Sequence, residues 1–221
     1  MKTALITGAS SEVGLAIAKK LENKYNLILT EHRTKIDINE FSKIPTIYKV
    51  DLNNEESILQ MISELKNQKI DILINAAAFD QNEEIEEITL DNFKKTININ
   101  TIAPFLLIQK LFKKNDQGVV INIASTDGID TYNAYNLPYA TSKSALIHLT
   151  KQLSDYYENL YIYALCPNYI NTKSVKEMDP KFLEEELKRV NQKKLIEIDE
   201  VVTKTKEIIE NLPNEIIIRM E

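Results

Sequence analysis

Tyr139 and Lys143 stand four residues apart in Tyr139-Ala140-Thr141-Ser142-Lys143, just after Pro138 and just before an apolar-periodic run. Residues at that spacing share one helix face, so a phenol and an ammonium can lie side by side. A free tyrosine, with a pKa of about 10, is a poor proton donor or acceptor at neutral pH. A neighbouring positive charge favours the phenolate, lowers that pKa and makes the pair a tuned acid/base. The same spacing is common on solvated helix faces, so its meaning depends on the elements around it.

Those elements read as alternating strands and helices. Ala4–Thr7, Leu27–Thr30, Thr46–Val50, Asp71–Asn75, Val119–Ala124, Leu160–Leu165 and Glu215–Arg219 are short apolar runs of strand length. Helical stripes fall between them: Ala16, Ile17, Ala18 and Leu21; Ile58, Met61, Ile62 and Leu65; a long helix over about 89–113, with Pro104 either kinking it or placed where the ladder is already interrupted; Leu146, Leu149, Leu153 and Tyr156; and Val201, Val202, Ile208 and Ile209. Alternation of this kind predicts an α/β fold, one doubly wound parallel sheet with helices on both faces. The 221 residues suit one domain spanning 1–221. The charged stretch 173–200 is the least regular part. Phe182, Leu183, Leu187 and Val190 within it suggest short helices, and a substrate lid at about 173–196 is the expectation.

Bulk properties narrow the function. Hydrophobic residues are 43% and charged residues 27%, as in an ordinary soluble globular protein. A net charge of −6 argues against nucleic acid or an anionic membrane as partner. The N-terminal apolar run is broken by Thr7 and Gly8, too short for a signal peptide or a membrane span. With Cys166 as the only cysteine, no intrachain disulfide is possible, and a cytoplasmic location is the default. No His/Cys/Asp/Glu grouping has metal-ligand spacing, so no metal is expected.

In an open parallel sheet, ligands bind at the carboxyl ends of the strands. After the first strand comes Thr7-Gly8-Ala9-Ser10-Ser11-Glu12-Val13-Gly14, a glycine turn entering a helix. Its backbone N–H groups and the positive end of the helix dipole suit a pyrophosphate. After the second strand, Glu31 could accept hydrogen bonds from a ribose diol, whereas Arg33 could hold a 2′-phosphate; the two readings conflict. His32 reads as a surface residue. Asp51, closing the third strand, could bond adenine, since helix capping belongs more naturally to Asn53 or Asn54.

These motifs together resemble the classical short-chain dehydrogenase/reductase family over almost the whole chain. Thr7, Gly8 and Gly14 match its opening Thr-Gly-x-x-x-Gly-x-Gly pattern. Asn100, Ser125, Tyr139 and Lys143 match its catalytic tetrad, with the serine 14 residues before the tyrosine. Pro167-Asn168-Tyr169-Ile170-Asn171-Thr172 resembles the Pro-Gly-x-x-x-Thr stretch that contacts nicotinamide.

The resemblance implies a Rossmann-type fold, NAD or NADP as cofactor, a small-molecule carbonyl or alcohol substrate, and a homodimer or homotetramer paired through the helices at 89–113 and 139–158. It implies cofactor contacts from Gly8, Ser10, Ser11, Val13, Gly14, Glu31, Arg33, Asp51, Leu52, Asn75, Ala76, Ala77, Tyr139, Lys143, Pro167, Tyr169, Ile170 and Thr172. It assigns Ser125 to the carbonyl oxygen, Tyr139 to proton transfer, Lys143 to the tyrosine and the nicotinamide ribose, and Asn100 to a water that links Lys143 to solvent. Reduction of a 3-oxoacyl thioester is one activity it allows. A non-catalytic nucleotide-binding or regulatory protein on the same fold is the alternative.

Departures from the pattern are specific. Glu12 replaces the middle glycine of the cradle, Asn75-Ala76-Ala77-Ala78 replaces Asn-Asn-Ala-Gly, Asn168 replaces a glycine, and the chain ends at Met220-Glu221, where relatives continue with a Gly-Gly tail. Asp127, Asp130, Tyr132, Tyr135 and Asn136, between the serine and the tyrosine, are candidate substrate contacts, as are Tyr169, Val175 and Met178. Cys166 reads as a buried thiol and His148 as a packing residue.

Overall fold

The computed structural model describes residues 1–66, 68–131 and 134–221; Tyr132 therefore lies outside the described residues. Seven strands form one sheet: β1 (Lys2–Thr7), β2 (Tyr25–Glu31), β3 (Thr46–Lys49), β4 (Ile72–Asn75), β5 (Gly118–Ile123), β6 (Leu160–Pro167) and β7 (Ile217–Met220). Their order is β3-β2-β1-β4-β5-β6-β7. Every pairing is parallel. The chain reverses its direction of travel across the sheet between β1 and β4, so a crevice opens there at the carboxyl ends.

Among the described residues the α-helices are α1 (Glu12–Leu21), α2 (Glu55–Glu64), α3 (Leu90–Ile97), α4 (Ala103–Leu111), α5 (Leu137–Tyr156), α6 (Lys173–Lys176), α7 (Pro180–Arg189) and α8 (Ile198–Asn211). Strand alternation sends side chains to two cores. Ala4, Ile6, Leu29, Ile74 and Ile121 pack with Ile17 of α1 and Val201 and Ile208 of α8. Leu5, Ile28, Leu73 and Val120 face the other way, onto Ile58 and Met61 of α2 and Leu107 and Ile108 of α4. Each such buried aliphatic side chain contributes about 1.5–3 kcal/mol, which clamps the sheet from both sides and fixes where its strand ends lie. Among the described residues no helix is long and apolar enough to cross a membrane.

Three expectations need correction. The helix expected over 89–113 is not continuous: α3 passes into a π-helical turn, Asn98–Ile102, before α4 begins. Pro104 has no N–H to donate to the carbonyl four residues back, so the widened turn stands where the ladder is already interrupted. The last strand is Ile217–Met220, not Glu215–Arg219. His148, expected to pack, is exposed on α5.

Candidate active site

The tetrad residues converge beyond the ends of β4 and β5. Ser125 follows β5, and its Oγ accepts a hydrogen bond from Asp127 N at 3.1 Å, which holds the hydroxyl at the strand end. Tyr139 and Lys143 occupy the first two turns of α5, with Pro138 at its second position, where no donor is needed. Lys143 is 2% exposed. Its Nζ donates to Ile123 O at 2.7 Å and lies 5.3 Å from the centre of the Tyr139 ring.

Asn100 sits on the π turn and is 1% exposed. Its Nδ2 donates to Phe79 O and to Ser142 Oγ, both at 2.9 Å, and its Oδ1 accepts from Phe79 N at 2.8 Å. Ser142 Oγ in turn donates to Tyr139 O at 2.6 Å. Both amide hydrogens of Asn100 are thus committed. Its side chain clasps the loop after β4 to α5, so it positions the tyrosine and lysine.

Charge in the site departs from the expectation. The net shift of the tyrosine is upward. Burial drives the Tyr139 phenol well above the usual tyrosine range, and the carboxylates of Asp80 and Asp127 add to this; the Ser125 hydroxyl opposes it only in part. Burial also lowers the Lys143 ammonium from 10.5 to about 8, while Asp80 and the Cys166 thiol draw it back up. Asp80 itself is pushed up to about 6, by enclosure first and the Asp127 charge second. Asp80 keeps accessible surface because it faces a cavity, yet the cavity walls strip away much of its water. The bare site therefore favours the protonated phenol.

Two cavities adjoin along the loop after β4. One, of about 530 Å³, contains Ser125, Tyr139 and Lys143 with Pro167, Tyr169, Ile170 and Thr172, and the lid residues Val175, Met178 and Phe182. The other, of about 430 Å³, is a groove lined by Gly8, Ser10, Ser11, Glu31, Arg33, Asp51, Leu52, Ala76 and Ala77. Ala76 and Ala78 line both, so a long ligand can pass from one to the other. Val13, Gly14 and Asn75 lie behind these walls. Gly14 packs so closely that a Cβ there would come within 2.3 Å of Gly8 O. Asn75 donates from Nδ2 to Asn122 Oδ1 at 2.7 Å, inside the sheet.

The departures find local explanations. Glu12 turns away from the groove, and its Oε2 accepts from Lys173 N, at the start of α6, at 2.7 Å. Asn168 stands in place of a glycine without a positive φ, which among described non-glycine residues is confined to Lys66, Asn191 and Leu212. Its N–H donates to Met220 O at 3.0 Å, so β7 holds this turn close to the end of the chain. Asp51 lines the groove and accepts from Asn53 N at 2.9 Å, while α2 is capped by Asn54.

Of the loop candidates, Asp127 and Asn136 line the catalytic cavity. Asp130 instead pairs with Arg219 at 2.9 Å, and Tyr135 packs edge-on against Phe182. Cys166 is fully buried. Sequence reasoning missed Asp80, Asn82 and Glu177 in the cavity and Thr30 in the groove. The position of Asp80, five residues past Asn75 in a strand-end loop, was the available signal.

Residues 2–182 match the family model described as short chain dehydrogenase. The 2-dehydro-3-deoxy-D-gluconate 5-dehydrogenase of Bacillus subtilis (strain 168) is 31% identical over 204 residues, covering 86% of this chain and 80% of that protein. A 3-oxoacyl-[acyl-carrier-protein] reductase of Rickettsia prowazekii (strain Madrid E) is 33% identical over 191 residues, covering 81% and 77% respectively. Among solved structures, a 4-hydroxyisoleucine dehydrogenase complexed with NADH superposes with a TM-score of 0.90 at 26% identity, covering 100% of this chain and 97% of that one. The chain belongs to the short-chain dehydrogenase/reductase family. It is an NAD(P)-dependent oxidoreductase acting between a carbonyl and an alcohol.

Proposed function

We propose that the chain interconverts a carbonyl and an alcohol, with Tyr139 as the general acid in the reductive direction and NAD(H) as the preferred cofactor. The observation that carries the reading is the meeting of Ser125, Tyr139 and Lys143 in one cavity, with the Lys143 Nζ 5.3 Å from the centre of the Tyr139 ring. Ser125 donates a hydrogen bond to the substrate oxygen, where negative charge develops. Tyr139 delivers its proton to that oxygen, which completes the alcohol. Lys143 brings positive charge beside the phenol and stabilises the phenolate that the proton transfer leaves. Asn100, through Phe79 and Ser142, fixes the distance between the loop after β4 and α5. The nicotinamide, when bound, supplies the hydride to the carbonyl carbon.

The groove fits that cofactor. Ser10 and Ser11, just before α1, line it together with the small side chains of Ala76 to Ala78 and with Glu31. Glu31 is held by Ile36 N, which donates to Oε2 at 2.8 Å. A fixed carboxylate there accepts from a ribose diol and repels a 2′-phosphate, which favours NAD(H) over NADP(H) despite the exposed Arg33. The segment 173–196 acts as the lid: Val175, Met178 and Phe182 line the catalytic cavity, and Glu12 ties its first helix to the cradle. The exposed Ile102 and Tyr156 beside α4 and at the end of α5 support pairing of two copies, and the single buried thiol suits a cytoplasmic location.

The test is thermal unfolding with each of the four cofactors, paired with ketone reduction by wild type and Tyr139→Phe. NADH should raise the melting temperature of both proteins more than NADPH does, and the variant should lose about 10²-fold or more in turnover. A variant that reduces the ketone at the parent rate contradicts the role of Tyr139.

A further inference from the structure

One wall of the catalytic cavity is made of hydrogen-bond acceptors that proton and hydride transfer do not use. Asp80 and Asp127 both line it and both act electrostatically on Tyr139. Asp127 is held in place by its loop: Oδ1 accepts from Thr131 Oγ1 and Oδ2 from Asn136 Nδ2, each at 2.9 Å. That second bond fixes the Asn136 amide with its Oδ1 turned away from Asp127. Asn136 is 4% exposed, lines the same cavity, and its Oδ1 has no partner. That atom is almost wholly enclosed, so the wall behind the carboxylates has no donor of its own to offset them. Glu177 adds a third carboxylate at the rim, shared with Lys173 at 3.7 Å.

The only cation lining this cavity, among the described residues, is Lys143, one positive charge that acts on Asp80 and stands against the three carboxylates of Asp80, Asp127 and Glu177. Arg189 acts on Asp127 from behind but forms a 2.6 Å ion pair with Glu186. The wall therefore carries an excess of negative charge and offers acceptors. An anionic substrate would be repelled by it. A neutral polyol would satisfy acceptors but leave the charge uncompensated. An ammonium group supplies up to three donors and the opposite charge together.

We propose that Asp80, Asp127 and Asn136 form the specificity wall of this oxidoreductase, and that its substrate is a small carbonyl compound bearing a protonated amine. The inference rests on the oxidoreductase reading of the tetrad. The carbonyl oxygen lies on Ser125 and Tyr139, and the ammonium lies against the accessible Asp80, with Asp127 and Asn136 forming the wall beside it.

Steady-state kinetics with NADH on three ketones of matched length tests it: an amino ketone, its N-acetyl derivative and the corresponding keto acid. Wild type should show a kcat/KM for the amino ketone at least about tenfold above that for the N-acetyl compound, and higher still relative to the keto acid. Asp80→Asn should collapse the amino/N-acetyl ratio by about tenfold, and Asp80→Glu should restore part of it. Asp80 is accessible from the cavity, so melting temperatures should show both variants folded. A preference for the keto acid or the N-acetyl ketone, or a ratio unchanged in Asp80→Asn, overturns the specificity wall while leaving the oxidoreductase reading intact. Failure to reduce any of the three, by a protein that NADH stabilises, overturns the assigned site and the inference with it.

Discussion

Lys143→Met should make the protein inactive and more stable at neutral pH. The ammonium of Lys143 is among the largest fully buried side chains, and its surroundings lower its pKa from 10.5 to about 8. Holding that charge in the fold at pH 7 costs about 3 kcal/mol, at about 1.4 kcal/mol per pKa unit. Methionine has similar length and no charge, so it removes this cost. It also forfeits the hydrogen bond to Ile123 O, worth about 1 kcal/mol. The net gain is about 2 kcal/mol, or about 4–8 °C in melting temperature for a chain of this size.

The gain depends on pH in a defined direction. Between pH 8 and 10.5 the unfolded chain keeps the lysine proton and the fold does not. Wild-type stability therefore rises with pH through that window relative to the variant. The Met variant should lead at pH 7, lose its lead as pH approaches 10.5, and end slightly behind. Thermal unfolding of both proteins in a buffer series from neutral to alkaline pH measures this. Turnover by the variant should fall by about 10²-fold or more. A variant that is less stable at neutral pH, or a difference that does not change with pH, refutes the charged buried lysine.

Asn100→Ala should strip partners from Phe79 N, Phe79 O and Ser142 Oγ. Leaving the two backbone groups unpaired costs about 2–4 kcal/mol, a fall of about 4–16 °C in melting temperature, with turnover reduced because α5 loses its link to the loop after β4. Gly14→Ala forces a Cβ to within 2.3 Å of Gly8 O. The resulting backbone shift should cost at least about 2 kcal/mol and weaken cofactor binding, both readable from melting curves with and without NADH.

The parts of this protein that follow strict local rules were legible without coordinates. Alternating apolar runs and helical stripes gave the doubly wound sheet, because burial on both faces admits few other arrangements. Ser125, Tyr139 and Lys143 were legible because their chemistry demands particular side chains at particular strand ends. The sign of the tyrosine shift was not, since it depends on how much water the folded cavity excludes and on Asp80, which sits in a loop with no periodicity. The same holds for Asn100, whose side-chain partners come from Phe79 and Ser142, far away in the chain. The outward turn of Glu12 was not legible either, because its spatial partner, the backbone of Lys173, lies 161 residues on. Pro104 did announce the interrupted helix, but only the neighbouring packing decides that the interruption takes the form of a π turn.

The most direct measurement is deuterium transfer from C4-deuterated NADH to the carbinol carbon of a ketone substrate, followed by mass spectrometry for wild type and Tyr139→Phe. The site described here predicts one deuterium on carbon in the wild-type product and little or no product from the variant, although the variant still binds NADH. Wild-type product without deuterium, or equal deuterated product from the variant, would contradict hydride transfer at a site whose acid is Tyr139.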